Sequence, residues 1–93
     1  MIYDIKDLCG EFAENKDSAK SIREDIKAHY FGSVEKIVFD FSGVDSSTQS
    51  FIHALVSEFF QNYGEKALDV FEYKNCSKSV KSLITTVINY SLE

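Results

Sequence analysis

The chain has 93 residues, 44% of them hydrophobic, and a formal net charge of −5. A chain of this length buries roughly 60 to 65% of its unfolded surface, which is enough for one core, so we expect a single domain over residues 1–93. Because phosphate backbones and anionic lipids attract clustered Lys and Arg, the acidic balance disfavours nucleic-acid binding and membrane-surface roles.

Targeting segments and paired cysteines are not indicated. No apolar run approaches the ~20 residues that span a bilayer, and the charged N-terminus lacks the apolar core of a signal peptide, so we expect a cytoplasmic protein. Cys9 and Cys76 have no companion at a metal-ligand spacing. We expect two reduced thiols, with neither a disulfide framework nor a metal site.

The first part of the chain predicts a strand and a helix. The segment IYDIKDL at 2–8 alternates imperfectly and favours an extended conformation, so we predict a short strand closed by Gly10. Asn15 or Asp17 is the candidate N-cap of a helix that ends before Gly32. The residues at helical spacing in it are Ala19, Ile22, Ile26, His29 and Tyr30.

Two further strand and helix pairs follow. The segment KIVFDF at 36–41 is apolar on consecutive positions, which is typical of a central strand covered on both faces. A helix follows with a wide apolar stripe, and Gly64 stands at its C′ position. That stripe consists of Phe51, Ile52, Leu55, Val56, Phe59, Phe60 and Tyr63. Residues 67–73 predict a third strand, and Asn75 or Ser77 caps a last helix. The apolar face of the last helix is formed by Val80, Leu83, Ile84, Val87 and Ile88.

The resulting order is βαβαβα. Strands that alternate with helices predict an α/β fold with a mostly parallel sheet of about three to four strands, joined by right-handed crossovers and packed against the helices.

The polar segment between the central strand and the second helix is the candidate site, because such sheets place functional loops at the carboxyl ends of their strands. Candidates for partner binding or for a phosphorylation switch are Ser46, Ser47, Thr48 and Ser50. Ser46 or Ser47 can also cap the helix, and plain capping is the competing interpretation. A phosphate there would add about −1.5 to −2 charges at the positive end of the helix dipole.

Four residues of the same segment are expected to shape the loop: Asp40, Ser42, Gly43 and Asp45. Asp40 is expected to hold the loop through its carboxylate in an Asx-type turn, and Gly43 to supply a backbone conformation with positive φ.

The run IVFDFSGVDSSTQSF resembles the strand, loop and helix start of STAS domains, the fold of anti-sigma factor antagonists. It is closer still to the bacterial STAS-like domain of unknown function. The positions that match are Asp40, Phe41, Gly43, Val44, Thr48, Ser50, Phe51, Tyr63 and Gly64. The resemblance implies a regulatory module that docks an ATP-binding kinase-like or anti-sigma-like protein through residues 42–58.

The chain departs from the antagonists at their switch. Thr48 stands where their motif has Asp, and Gln49 stands where they carry the phosphorylated serine. Ser50 matches the second serine of the pair, and Phe51 replaces the glycine. The resemblance therefore implies a docking surface more strongly than it implies phosphorylation.

Catalytic equipment is sparse in the sequence. His29 and His53 are the two imidazoles, and the chain has no Gly-rich phosphate loop, HExxH or G-x-S-x-G motif. Asp40 at a strand end is also typical of response-regulator receivers, but these need five βα units, an acidic pair and a late lysine. We predict a protein without enzymatic activity or cofactor. The alternative is a structural or inhibitory interaction protein, antitoxin-like or a homo-oligomeric subunit, with no phosphorylation switch.

Overall fold

A computed structural model describes residues 1–92 and gives the chain an α/β architecture. The strands are β1 (Ile2–Asp4), β2 (Phe12–Ala13), β3 (Ile37–Asp40), β4 (Ser46–Ser47) and β5 (Phe71–Lys74). The helices are α1 (Ile5–Cys9), α2 (Lys16–Asp25), α3 (Gln49–Tyr63), α4 (Glu65–Val70) and α5 (Lys78–Ser91). The predicted α/β class is confirmed.

The main sheet has the strand order β1-β3-β5, and both of its ladders are parallel. Its register aligns Tyr3, Phe39 and Tyr73 in one row across the three strands. The ring centroids in this row are 6.0 Å apart for Tyr3 and Phe39, and 5.7 Å apart for Phe39 and Tyr73. The predicted parallel sheet is confirmed, and a second, two-stranded sheet pairs β2 with β4.

Helix α3 covers this aromatic face of the main sheet. The Phe71 ring on β5 lies 5.2 Å from that of Phe59 on α3, and the Phe31 ring lies 5.0 Å from Phe59 on the same side. Ile37, Val38 and Phe39 of the central strand are all buried. Helix α3 also packs against α2 on one flank and against α5 on the other, so its apolar stripe is the centre of the core.

Helix α2 begins as predicted at the side chain of Asn15, whose Oδ1 accepts bonds from the N–H groups of Asp17 (2.9 Å) and Ser18 (3.3 Å). A π-helical turn, Ile26–Tyr30, continues it. The Tyr3 hydroxyl donates to Asp25 Oδ2 at 2.6 Å, which fastens the end of α2 to the sheet. Burial and this bond to Asp25 raise the pKa of Tyr3.

The last two predicted helices also form. Helix α3 ends at Tyr63, and Gly64 follows with φ 57°, a left-handed conformation that favours glycine. Helix α5 is capped by Ser77, whose Oγ accepts a bond from Val80 N at 3.2 Å.

Two predicted strands are too long. The strand over 2–8 ends at Asp4, because the Asp4 carboxylate accepts a bond from Asp7 N at 3.1 Å and starts α1. The strand over 67–73 begins only at Phe71, and the residues before it form α4, which buries Ala67. In both segments a helical turn buries an apolar residue while the next apolar position stays in solvent.

The second face of the main sheet carries Ile2, Val38 and Glu72 in one row. Ile2 is 64% exposed, whereas Val38 in the central strand is 7% exposed. Within residues 1–92, no helix combines the length and apolar character needed to cross a bilayer.

Candidate functional site

The candidate loop starts at Asp40, the last residue of β3. Its Oδ1 accepts two bonds, from Ser42 N at 2.9 Å and from Asn75 Nδ2 at 3.1 Å. The bond from Ser42, the bond from Asn75 and the charge of Lys74 hold the pKa of Asp40 below its usual value, against a smaller opposing effect of desolvation. Asn75 has φ 58°, so the residue after β5 turns sharply to place its amide beside the carboxylate. Asp40 therefore joins the loops that follow β3 and β5.

Gly43 lies at the turn of this loop with φ 77°. Val44 N donates to Phe41 O at 2.9 Å, which closes the turn, and both of these residues are buried. The side chain of Lys6, on α1, lies over the glycine, so an added Cβ would stand 2.7 Å from Lys6 Cδ. The backbone angle requires glycine, whereas the exposed Lys6 side chain could move aside for an added Cβ.

The far half of the loop is bonded to the segment before α2. Asp45 N donates to Glu11 O at 2.9 Å, and Thr48 N donates to Ala13 O at 3.3 Å. The Ser47 hydroxyl donates to the same Ala13 oxygen at 2.5 Å. Ser77 Oγ, at the start of α5, donates to Asp45 O at 3.3 Å. The loop is thus braced by residues distant from it in sequence on both sides.

Thr48 is the N-cap of α3. Its Oγ1 accepts a bond from Phe51 N at 3.1 Å, and its backbone is extended with φ −114° and ψ 157°. The expectation that Ser46 or Ser47 caps the helix is wrong, because these two residues form β4 and pair with Phe12–Ala13. The N-cap is therefore one residue after Ser47 and two residues after Ser46.

The remaining serine candidates differ in exposure. Ser46 is half-buried in β4, and its hydroxyl has no hydrogen-bond partner within residues 1–92. Ser50 is exposed at the second position of α3. Ser42 and Asp45, both predicted to shape the loop, are exposed at its rim. Ser50 is therefore the exposed candidate, whereas the hydroxyl groups of Ser47 and Thr48 form hydrogen bonds with the backbone.

A cleft of about 670 Å³ opens beside Ser50, between α2 and α3; we call it the α2–α3 cleft. Its α2 wall consists of Lys16, Lys20 and Arg23. Its α3 wall consists of Gln49, Ser50, His53, Ala54, Ser57 and Glu58. This cleft was not among the predicted sites, although three cations at positions i, i+4 and i+7 of one helix indicate that they share a face.

His29 and the two cysteines lie outside the loop. His29 Nε2 is 3.9 Å from Asp25 Oδ1, and His29 is exposed. Cys9 and Cys76 are free thiols, and burial raises the pKa of both, so they are protonated at neutral pH. Within residues 1–92, His, Cys, Asp and Glu side chains form no group of three that could hold a metal ion.

Comparison with known proteins assigns the chain to a family. No curated protein and no solved structure shows a significant match to the chain. Residues 18–81 match the family described as a STAS-like domain of unknown function, and they include α2 from its third residue onwards, β3, the braced loop and α3. Because this match covers well over half of the sequence, the chain belongs to the family of STAS-like domains of unknown function.

Proposed function

We propose that this STAS-like domain is a non-enzymatic regulatory module that binds a protein partner through the loop and helix at 42–58, and that phosphorylation of Ser50 changes this binding. The observation that supports it best is a fixed backbone that presents exposed side chains. Asp45, Ser50 and His53 are exposed, while the loop between them is bonded to Glu11, Ala13 and Ser77. Because its backbone is already held in place, such a surface loses little backbone freedom when a partner binds.

Ser50 is the preferred switch position for a structural reason. A kinase must reach the hydroxyl, and Ser50 is exposed, whereas the Ser47 hydroxyl is bonded to Ala13 O and Thr48 Oγ1 caps α3. A phosphate at the second position of a 15-residue helix also lies at the positive end of its dipole. Modification there adds charge to the surface without removing a cap.

The partner's chemistry is proposed from the family likeness. STAS antagonists engage ATP-binding kinase-like regulators, so an ATP-binding kinase-like or anti-sigma-like protein is the expected partner. The proposal assigns no reaction to the domain itself.

The test is affinity capture of the tagged protein from its native cells, with Ser50→Asp compared with wild type. Ser79→Asp is the matched control, because Ser79 is exposed at the second position of α5, the same place in a different helix. We expect Ser50→Asp to change partner recovery by about tenfold, the effect of about 1.4 kcal/mol, and Ser79→Asp to leave it as in wild type. Intact-mass analysis of the wild-type bait should show an adduct of ~80 Da, and peptide mapping should locate it in residues 46–50.

Equal recovery with both variants, with unchanged far-UV circular dichroism, would rule out Ser50 as the switch. A bait that returns unmodified and bound only to itself would favour the structural alternative. That alternative has one supporting observation, since Ile2 on the edge strand β1 is 64% exposed and Met1 just before it is 41% exposed. Light scattering after gel filtration distinguishes the two, because a constitutive homo-oligomer belongs to the structural role.

A further inference from the structure

The α2–α3 cleft has a positively charged wall in a chain whose net charge is −5. Lys16, Lys20 and Arg23 occur at positions i, i+4 and i+7 of α2. With a rise of 1.5 Å per residue, they extend along about 10 Å of the helix. The cleft's volume of about 670 Å³ lies within the range of small-ligand sites, about 300–1,000 Å³.

Only part of this charge is compensated inside the protein. Arg23 Nε lies 3.3 Å from Glu58 Oε2 and 3.6 Å from Glu24 Oε2. Lys16 and Lys20 form no ion pair within residues 1–92. The excess positive charge therefore lies in the half of the cleft away from Glu58, where α2 begins.

The opposite wall offers hydrogen-bond donors to the same space. Gln49 has an amide, Ser50 a hydroxyl and His53 an imidazole, and these three residues line the cleft from the first two turns of α3. A phosphate monoester carries close to two negative charges and three strong acceptor oxygens, so it can engage two ammonium groups and donors from both walls together. A single carboxylate has one charge and would leave one lysine uncompensated.

We propose that the α2–α3 cleft is a binding site for a phosphate monoester dianion, with Lys16 and Lys20 supplying the charge and the α3 wall supplying hydrogen bonds. The phosphate has two sources with the same chemistry: a free phosphorylated molecule, or a phosphoryl group on Ser50, whose residue lines the cleft. Only the second source rests on the function proposed above.

The first experiment titrates glycerol 2-phosphate into the ¹⁵N-labelled protein at constant ionic strength and about pH 7.5, where the ester is dianionic because its second pKa is about 6. Glycerol is the uncharged control. We expect saturable shifts at the amides of Gln49, Ser50 and His53. The double variant Lys16→Ala/Lys20→Ala should bind at least about tenfold more weakly.

A second double variant, Lys78→Ala/Lys81→Ala, removes the same charge from exposed positions of α5. We expect it to bind as wild type does. Equal weakening in both double variants would mean non-specific attraction and would overturn the proposal, as would wild-type shifts that do not saturate.

The second experiment identifies where the phosphate comes from. It uses protein that carries genetically encoded phosphoserine at position 50. If Ser50 supplies the phosphate, this protein no longer binds glycerol 2-phosphate. The helix dipole alone raises its Tm at low salt somewhat, so the diagnostic result is that this gain in Tm becomes smaller when Lys16 and Lys20 are replaced by alanine. If the phosphorylated protein binds the ester as tightly as before, the cleft serves a free phosphorylated molecule and the site stands. A third outcome separates the two proposals. If Ser50→Asp loses its partner but the wild-type protein binds no glycerol 2-phosphate, the proposed docking surface stands and the proposed phosphate site in the α2–α3 cleft is overturned.

Discussion

Replacement of Thr48 by alanine tests the assignment of the α3 cap. The change removes the oxygen that accepts the bond from Phe51 N at 3.1 Å. Loss of an N-cap of this type costs about 1 kcal/mol, within a range of about 0.5–2 kcal/mol. For a domain of this size, about 1 kcal/mol lowers the Tm by about 4–8 °C. We expect this decrease in thermal unfolding followed by far-UV circular dichroism.

Two substitutions act as controls for the Thr48 prediction. Thr48→Ser keeps the accepting oxygen and should retain nearly all of the stability, since Ser and Thr are both strong N-caps. Ser46→Ala removes a hydroxyl without a hydrogen-bond partner in residues 1–92, so the free energy of unfolding should change by no more than about 0.5 kcal/mol. If Ser46→Ala destabilised the protein as much as Thr48→Ala, the cap would have been assigned to the wrong residue.

Two further substitutions probe the loop. The pKa of Asp40 is lowered on folding, mainly by the bond from Ser42 N, so its contribution to stability is present above the unfolded pKa of about 3.9 and is lost as pH falls through the folded value. Asp40→Asn should remove this contribution, so its urea midpoint should decrease less than that of wild type between about pH 6 and about pH 3. An equal decrease in the two proteins would contradict the prediction. Gly43→Ala should cost about 1–2 kcal/mol for φ 77°, with a small further cost for moving the exposed Lys6 side chain. Gly32→Ala, with φ 88° and open space around it, should show only the backbone cost. Any difference between the two glycine variants in the free energy of unfolding, measured with urea, should vanish when Lys6 is also replaced by alanine.

Long periodic segments could be predicted from the sequence because their pattern repeats over several turns. The α3 stripe from Phe51 to Tyr63, with Gly64 after it, is such a case, and the structure confirms its end. The short helices α1 and α4 could not be predicted, since each has one buried residue, Ile5 or Ala67, and no repeat. One buried position fits a strand and a helix equally well.

Only the part of the candidate site that depends on neighbouring residues could be predicted from the sequence, for a similar reason. Local chemistry indicated an Asx-type turn at Asp40, and its bond to Ser42 N has that geometry. The pairing of β4 with β2 joins residues that are distant in sequence and have no local signal, so the sequence alone leaves Ser46 and Ser47 as possible helix caps. The α2–α3 cleft needs two helices packed together, and neither helix alone reveals it.

The bracing of the loop also sets how fast its amide protons exchange with solvent. Asp45 N and Thr48 N donate to Glu11 O and Ala13 O, so their hydrogens are released only when residues 11–13 detach from the loop. Such local openings take less free energy than global unfolding. Hydrogen exchange at these two amides would therefore measure how firmly the segment before α2 holds the loop, independently of any partner.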